Sequence, residues 1–275
     1  MHKSNVKIFR VPIPTPTLWP HSTTNSYLIG DENESILIDA GYDQKETKWV
    51  LEQSLQEFNL AIPKRILLTH AHSDHAPGVM QLADWEASVY CHPLEKEEVL
   101  KCIPTLDTLH FLEDNSRLTI GHTEINILHS PGHTAGQLNF YIPSQQILLA
   151  GDNLIENGTS WIGTPDGDIS QYLQSLNRLK SLQITKVGPG HGDWIVNPYE
   201  HLEFVYNRRL QRETEIIKLL KEIGPLSSKE ITTRIYQNHV HPSILNVAER
   251  TTEAHLIKLS NEGITEKDGQ AYKLV

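Results

Sequence analysis

Four side chains that are costly to bury, His70, His72, Asp74 and His75, fall within six consecutive positions of the stretch LLTHAHSDHAPG. Imidazole and carboxylate are ligands for Zn²⁺ and equally for Mn²⁺ or Fe, so the residue types indicate a metal without choosing one. A helix would place positions 70 and 74 on one face and 72 on the other. We therefore read the stretch as an irregular loop leaving a strand, in which alternate side chains can point inward. One catalytic ion needs about three protein ligands and an open position, and two ions need roughly six or seven. The loop reaches that number only if His133, Asp152 and His191, in SPGHTAGQ, LLAGDNL and GPGHG, join it.

The elements that must position these residues are visible as short apolar runs. Strands are expected at 6–12, 25–30, 35–40, 65–70, 88–92, 125–130, 138–143, 147–152 and 184–190. Helices are expected at Lys45–Phe58, Pro77–Trp85, Leu94–Lys101 and Ile169–Leu182. In the last, Asp168 is placed to cap the start, and Tyr172, Leu173, Leu176 and Leu179 form an apolar stripe. Asp39, His70, Asp152 and His191 each stand at or just beyond the end of a strand candidate, and His133 follows one closely. Strand C-termini are where loops converge and sites are built in α/β proteins.

Taken in order, Asp39, the His70-x-His72-x-Asp74-His75 loop, His133, Asp152 and His191 resemble the five successive motifs of the metallo-β-lactamase superfamily. The resemblance extends over about residues 6–195. It implies an α/β fold, the αββα sandwich with metals at one edge of two sheets; the helices and hairpin of the tail add a small C-terminal helical domain of winged-helix type. It also implies two divalent metal ions, with Zn²⁺ expected and Mn²⁺ or Fe compatible. His70, His72 and His133 would hold one ion, and Asp74, His75 and His191 the other, with Asp152 bridging. Asp39 would support the loop without touching metal.

A hydroxide shared by two cations can attack a carbonyl or phosphorus while a metal takes the developing charge. On this reading Asp74 is the catalytic carboxylate that accepts the nucleophile's proton. No GxSxG, P-loop or dinucleotide motif is present. Within the superfamily, His72 disfavours the diiron electron-transfer relatives, and the complete second site disfavours persulfide dioxygenases. The Asp74-His75 pairing with Asp152 disfavours antibiotic hydrolysis. Only 38 residues separate Asp152 from His191, too few for the inserted domain of β-CASP nucleases. The glyoxalase II-like and beta-lactamase-like protein 2-like branches remain. The expected activity is hydrolysis of a small ester, thioester or lactone; a single-strand endoribonuclease is the alternative, and a non-enzymatic metal-dependent nucleic-acid-binding regulator the third reading.

From about residue 200 helical pattern dominates, followed by the candidate hairpin GITEK and AYKLV around Asp268-Gly269. This divides the chain into a catalytic domain, 1–200, and a winged-helix-like domain, 201–275. Residues 1–202 hold 13 Lys and Arg against 24 Asp and Glu, a net of −11, and residues 203–275 hold 11 against 10, a net of +1. An acidic body disfavours RNA as a partner, and the third tail helix offers only Arg250, His255 and Lys258 as bases. A small-molecule substrate is expected, and a homo-oligomer is compatible with the sequence. The two cysteines, Cys91 and Cys102, and the lack of a signal-like or membrane-spanning apolar run point to a cytoplasmic protein without a membrane partner. Outside the motifs, Trp19 and Trp161 are candidates to line the pocket, and His92 is placed to reach it. His129 reads as structural. His21, His110, His122, His201, His239, His241 and His255 carry no pattern and read as surface or packing residues.

Overall fold

A strand buried on both faces reads as an unbroken apolar run, and YLI, SILI and RIL are such runs. In the computed structural model, which describes residues 6–16, 21–237, 241 and 244–275, they become central strands. Trp19 and His239 lie outside the described residues. Two compact units are present, one of Met1–Ser130, Gly136–Gly158 and Gln183–Pro198, the other of Pro131–Ala135, Thr159–Leu182 and Tyr199–Val275.

The first unit contains two sheets. Strands β1 (Lys7–Pro14), β2 (Thr23–Gly30), β3 (Ser35–Ile38), β4 (Arg65–Leu67), β5 (Ser88–Cys91) and β6 (Leu109–Phe111) form one, in that order. Pairing is antiparallel from β1 to β3 and parallel from β3 to β6. The second sheet runs β11 (Lys186–Pro189), β10 (Ile147–Gly151), β9 (Leu138–Ile142), β8 (Thr123–His129), β7 (Arg117–Ile120), with only β10 and β11 parallel. Strand alternation divides the apolar residues between two cores. Tyr27, Ile29, Ile36, Ile38 and Leu67 meet Ile125, Ile127, Leu138 and Phe140 between the sheets. Leu28, Leu37 and Ile66 turn the other way, onto Leu51 and Leu55 of α1 (Lys45–Phe58) and Val79, Leu82 and Trp85. Fully burying each such side chain is worth about 1.5–3 kcal/mol.

Two expected helices take a different form. Residues Pro77–Trp85 wind as 3₁₀-helix, broken by non-helical backbone at Leu82. The segment expected at 94–101 begins with a 3₁₀ turn, Pro93–Glu95, before α2 (Lys96–Cys102). Here the His92 ring accepts the Leu94 N–H at 3.3 Å, an N-cap made by an imidazole.

The second unit contains α3 (Ile169–Leu179), α4 (Pro198–Ile223), β12 (Leu226–Ser227), α5 (Ser228–Tyr236), α6 (Leu245–Asn261), β13 (Thr265–Asp268) and β14 (Ala271–Leu274). Asp168 caps α3 by accepting the Gln171 N–H at 2.9 Å, and the stripe of Tyr172, Leu173, Leu176 and Leu179 is buried as expected. Ser227 and Glu230 make a reciprocal capping box at the start of α5. A core of Ile216, Leu220, Leu226, Ile231, Leu256, Leu259 and Tyr272 joins the helices to a sheet ordered β12-β14-β13. That is a winged-helix arrangement; the hairpin turns at Gly269-Gln270, one residue beyond the Asp268-Gly269 read from the sequence, because Asp268 still pairs with Ala271.

Candidate metal centre

The parallel register of β3 and β4 brings their C-terminal ends side by side, and the centre begins there. Asp39 leaves β3 with φ of 56°, a left-handed conformation that a short polar residue tolerates better than most. Its buried carboxylate accepts the Thr69 N–H at 2.7 Å and Thr69 Oγ1–H at 2.8 Å, and lies 2.8 Å from His75 Nδ1. Thr69 Oγ1 is in turn 2.9 Å from His70 Nδ1. One carboxylate thus orients the strand end, the first loop histidine and the last.

The same logic recurs at two further histidines. His191 Nδ1 lies 3.0 Å from the Thr23 carbonyl, and His133 Nδ1 lies 2.7 Å from the Trp161 carbonyl. With each Nδ1 turned to an oxygen, Nε2 carries the lone pair a metal requires. His133 stands on Pro131–Ala135, in the second unit, and the other six sequence-predicted ligands stand in the first.

Within the first unit, ligand atoms of His70, His75 and Asp152 lie within 4.8 Å of one another, and so do those of Asp74, His75 and His191. Asp152 Oδ1 is 3.3 Å from His75 Nε2 and 3.4 Å from His191 Nε2; Asp74 Oδ2 is 3.4 Å from His191 Nε2. The His70 ring meets those of His72 and His75 at centroid distances of 4.5 and 4.3 Å. His75 is fully buried, and its Nε2 makes no hydrogen bond. A buried imidazole nitrogen facing carboxylate oxygens fits a divalent cation between them, and the donor set of histidines and aspartates suits one. Gly190 gives the clearance: a Cβ there would collide with Asp152 Oδ1.

Electrostatics point the same way. Burial alone would depress the His75 pKa, but Asp152, Asp74 and Asp39 outweigh it and hold the ring well above its ordinary value. His191 is raised against its own burial by Asp152 and Asp74. Burial would raise the Asp152 carboxyl, but His191 and His75 hold it well below the usual carboxylate range. The carboxylates draw positive charge into the cluster, which protons or metal cations can supply.

Several supporting residues escaped sequence reasoning. Glu95 is buried at 4% exposure, and its two carboxylate oxygens accept the Ala71 N–H at 2.9 Å and the Gly136 N–H at 2.8 Å. It ties the HxHxDH loop to the end of SPGHTAG. Thr24 Oγ1 donates to Asp74 at 3.0 Å, and Asn25 donates to the carbonyls of Pro189 and Gly192 on either side of His191. The signal in the sequence was a polar run, Thr24-Asn25-Ser26, opening an apolar strand, and the structure buries all three. His21, read from the sequence as surface or packing, lies against His191 with ring centroids 5.1 Å apart and planes tilted by 30°. His92 joins none of the ligand groups; it stacks on His129 at 4.0 Å, and burial and His129 lower its pKa to about 4.

A family model described as the metallo-beta-lactamase superfamily matches residues 19–191, and one described as the beta-lactamase associated winged helix domain matches 227–273. The chain belongs to the metallo-β-lactamase superfamily. It is 28% identical to the beta-lactamase-like protein 2 homolog of Caenorhabditis elegans, over 88% of this chain and 80% of that one. It is 24% identical to an atrochrysone carboxyl ACP thioesterase of Cryptosporiopsis sp., over 94% of this chain and 80% of that one. A metallo-beta-lactamase family protein from Thermus thermophilus shares the fold over 98% of both chains, with a TM-score of 0.83 and 24% identity.

Proposed function

We propose that the chain is a dinuclear metal-dependent hydrolase of a small ester, thioester or lactone. The observation that carries this reading is the pair of ligand groups sharing His75, with Asp152 facing both His75 and His191. His70, His72 and His133 are the residues proposed to hold one ion, and imidazole suits it. Asp74, His75 and His191 serve the other ion, and Asp152 serves both. Two such cations, when bound, supply Lewis acidity and a hydroxide at neutral pH. The protein's own contribution is orientation: Asp39, Thr69, and the Thr23 and Trp161 carbonyls fix the ring nitrogens, and Glu95 fixes the loop backbone. Asp74, held by Thr24 and 17% exposed at its side chain, is the carboxylate placed to take the nucleophile's proton.

Acyl substrates are favoured over RNA by the thioesterase likeness and by the distribution of charge. On α6, His255 and Lys258 are buried against Glu213, and Arg250 alone of the three bases is exposed. A cleft of about 610 Å³ in the second unit is lined by Arg208, Arg212, Lys218 and Arg234, but Glu215 pairs with the first two and Glu222 with the third. Zn²⁺ is the proposed ion, and the proposed setting is cytoplasmic. No helix among the described residues is long and apolar enough to cross a membrane. The protein reconstituted separately with Zn²⁺, Mn²⁺ and Fe²⁺ and given thioester, lactone, phosphodiester and single-stranded RNA substrates decides among these. Turnover of the thioester or lactone is expected, and RNA cleavage without ester turnover would overturn the reading.

A further inference from the structure

His133 and the winged helix are attached to the same short stretch of chain, residues 159–168. The Trp161 carbonyl lies 2.7 Å from His133 Nδ1, and the Trp161 indole N–H donates to the Val247 carbonyl of α6 at 3.2 Å. Three residues on, Thr164 Oγ1–H donates to Glu253 Oε2 at 2.8 Å, and the Thr164 N–H reaches the Arg250 carbonyl at 3.4 Å. From α4, the buried Arg209 guanidinium donates to the Ser160 carbonyl. The indole lies so close to Gly163 that a Cβ there would stand 2.6 Å from its ring. A stretch without regular secondary structure is thereby fixed at Ser160, Trp161 and Thr164, and the carbonyl facing His133 belongs to the middle one.

We propose that the winged-helix unit is a positioning device for a metal ligand: α6, through Val247, Arg250 and Glu253, holds the Trp161 carbonyl that sets the tautomer and aim of His133. The proposal rests on reading His133 as a ligand. A neutral imidazole that gives its Nδ1–H to a fixed carbonyl has its lone pair on Nε2 and its ring rotation blocked. If α6 did not hold the loop, the carbonyl could turn away and the ring would lose both constraints. Trp161, Thr164 and Glu253 are positioning residues, since they act on the ion only through His133. The role differs from nucleic-acid binding, because it uses the side of α6 that faces residues 159–168 in the same unit.

The test is Zn²⁺ titration against a chromophoric chelator, with zinc per chain and the ¹⁵N shifts of the histidine rings, for wild type, W161F, T164V, W161F/T164V, T164S and H133A. W161F keeps the carbonyl and removes the indole N–H together with part of the ring beside Gly163. The double variant is expected to bind one of its two ions ~10-fold or more weakly, the low end of the cost of losing such a partner, and to keep the other. The His133 signal should show exchange between tautomers, and T164S, which keeps the hydroxyl, should match wild type. A folded double variant with wild-type affinity for both ions and one fixed tautomer would overturn the proposal. If the double variant does not fold, W161F decides by the same spectrum, and an unchanged His133 tautomer overturns it. H133A separates the two levels. Retention of both ions by H133A defeats the ligand reading itself, whereas loss of one ion by H133A but not by the double variant defeats only the positioning role.

Discussion

Behind the Nδ1 atoms of His70, His75, His133 and His191 stand oxygens that aim them, and two of these, the Thr23 and Trp161 carbonyls, lie outside the recognisable motifs. Asp39 was legible because it follows SILI and precedes Ala40-Gly41, and the structure shows it accepting from Thr69 and lying against His75. Glu95 was not. It sits in an acidic stretch, LEKEEVL, that reads as a solvated helix face, yet it alone turns inward to two backbone N–H groups in loops 24 and 41 residues away. Contacts that distant in sequence leave no local periodicity to detect. Glu95→Gln keeps the size but replaces one acceptor with an NH₂ group facing an N–H donor. We expect it to lower unfolding free energy by about 1–3 kcal/mol, the cost of a buried group left unsatisfied. Denaturant titration of the metal-free protein measures this, and an unchanged midpoint and slope would show that the carboxylate clamp is dispensable.

At the scale of elements, nearly every strand and helix of regular length was readable from apolar runs and caps. The failures have physical causes. Strands β6 and β7 were missed because LHF and RLTI lie partly in solvent and are too short for their apolar–polar alternation to stand out. The 3₁₀ form of Pro77–Trp85 escaped because tertiary contacts decide it: Gly78 lies so close to the Ala40 carbonyl that a Cβ would collide. Nor did the sequence reveal that 131–135 and 159–182 belong with the C-terminal residues, since no change of composition marks those junctions. The ends of β10 and β11 pack Asp152 against Gly190, and an alanine there would displace the carboxylate or the backbone of the GPGHG turn. Gly190→Ala should therefore lose at least one ion with little change in helical circular dichroism. Zinc content after dialysis checks it, and two retained ions per chain would contradict the proposed use of this contact.

Over the whole molecule, acidic charge and buried histidines combine to make stability and metal content depend on pH in different ways. His255 of α6 is fully buried, and burial lowers its pKa to about 4, with Glu213 only partly compensating. The unfolded chain takes up that proton near the ordinary value of about 6.5 while the folded chain resists it. Protons therefore favour unfolding, and this contribution to stability is lost as pH falls from about 6.5 towards 4, to an extent on the order of 3 kcal/mol. His255→Gln should flatten the pH dependence of the unfolding free energy across that window. Equal slopes for the metal-free variant and wild type would contradict it.

The central claim is that one set of seven side chains holds two ions and that Asp152 serves both. Asp152→Ala with metal content and thioester or lactone turnover measured on the same sample tests it most directly. Wild type should hold two ions per chain and turn substrate over, and the variant should lose metal and turnover together. A variant that keeps both ions and wild-type turnover would contradict the account.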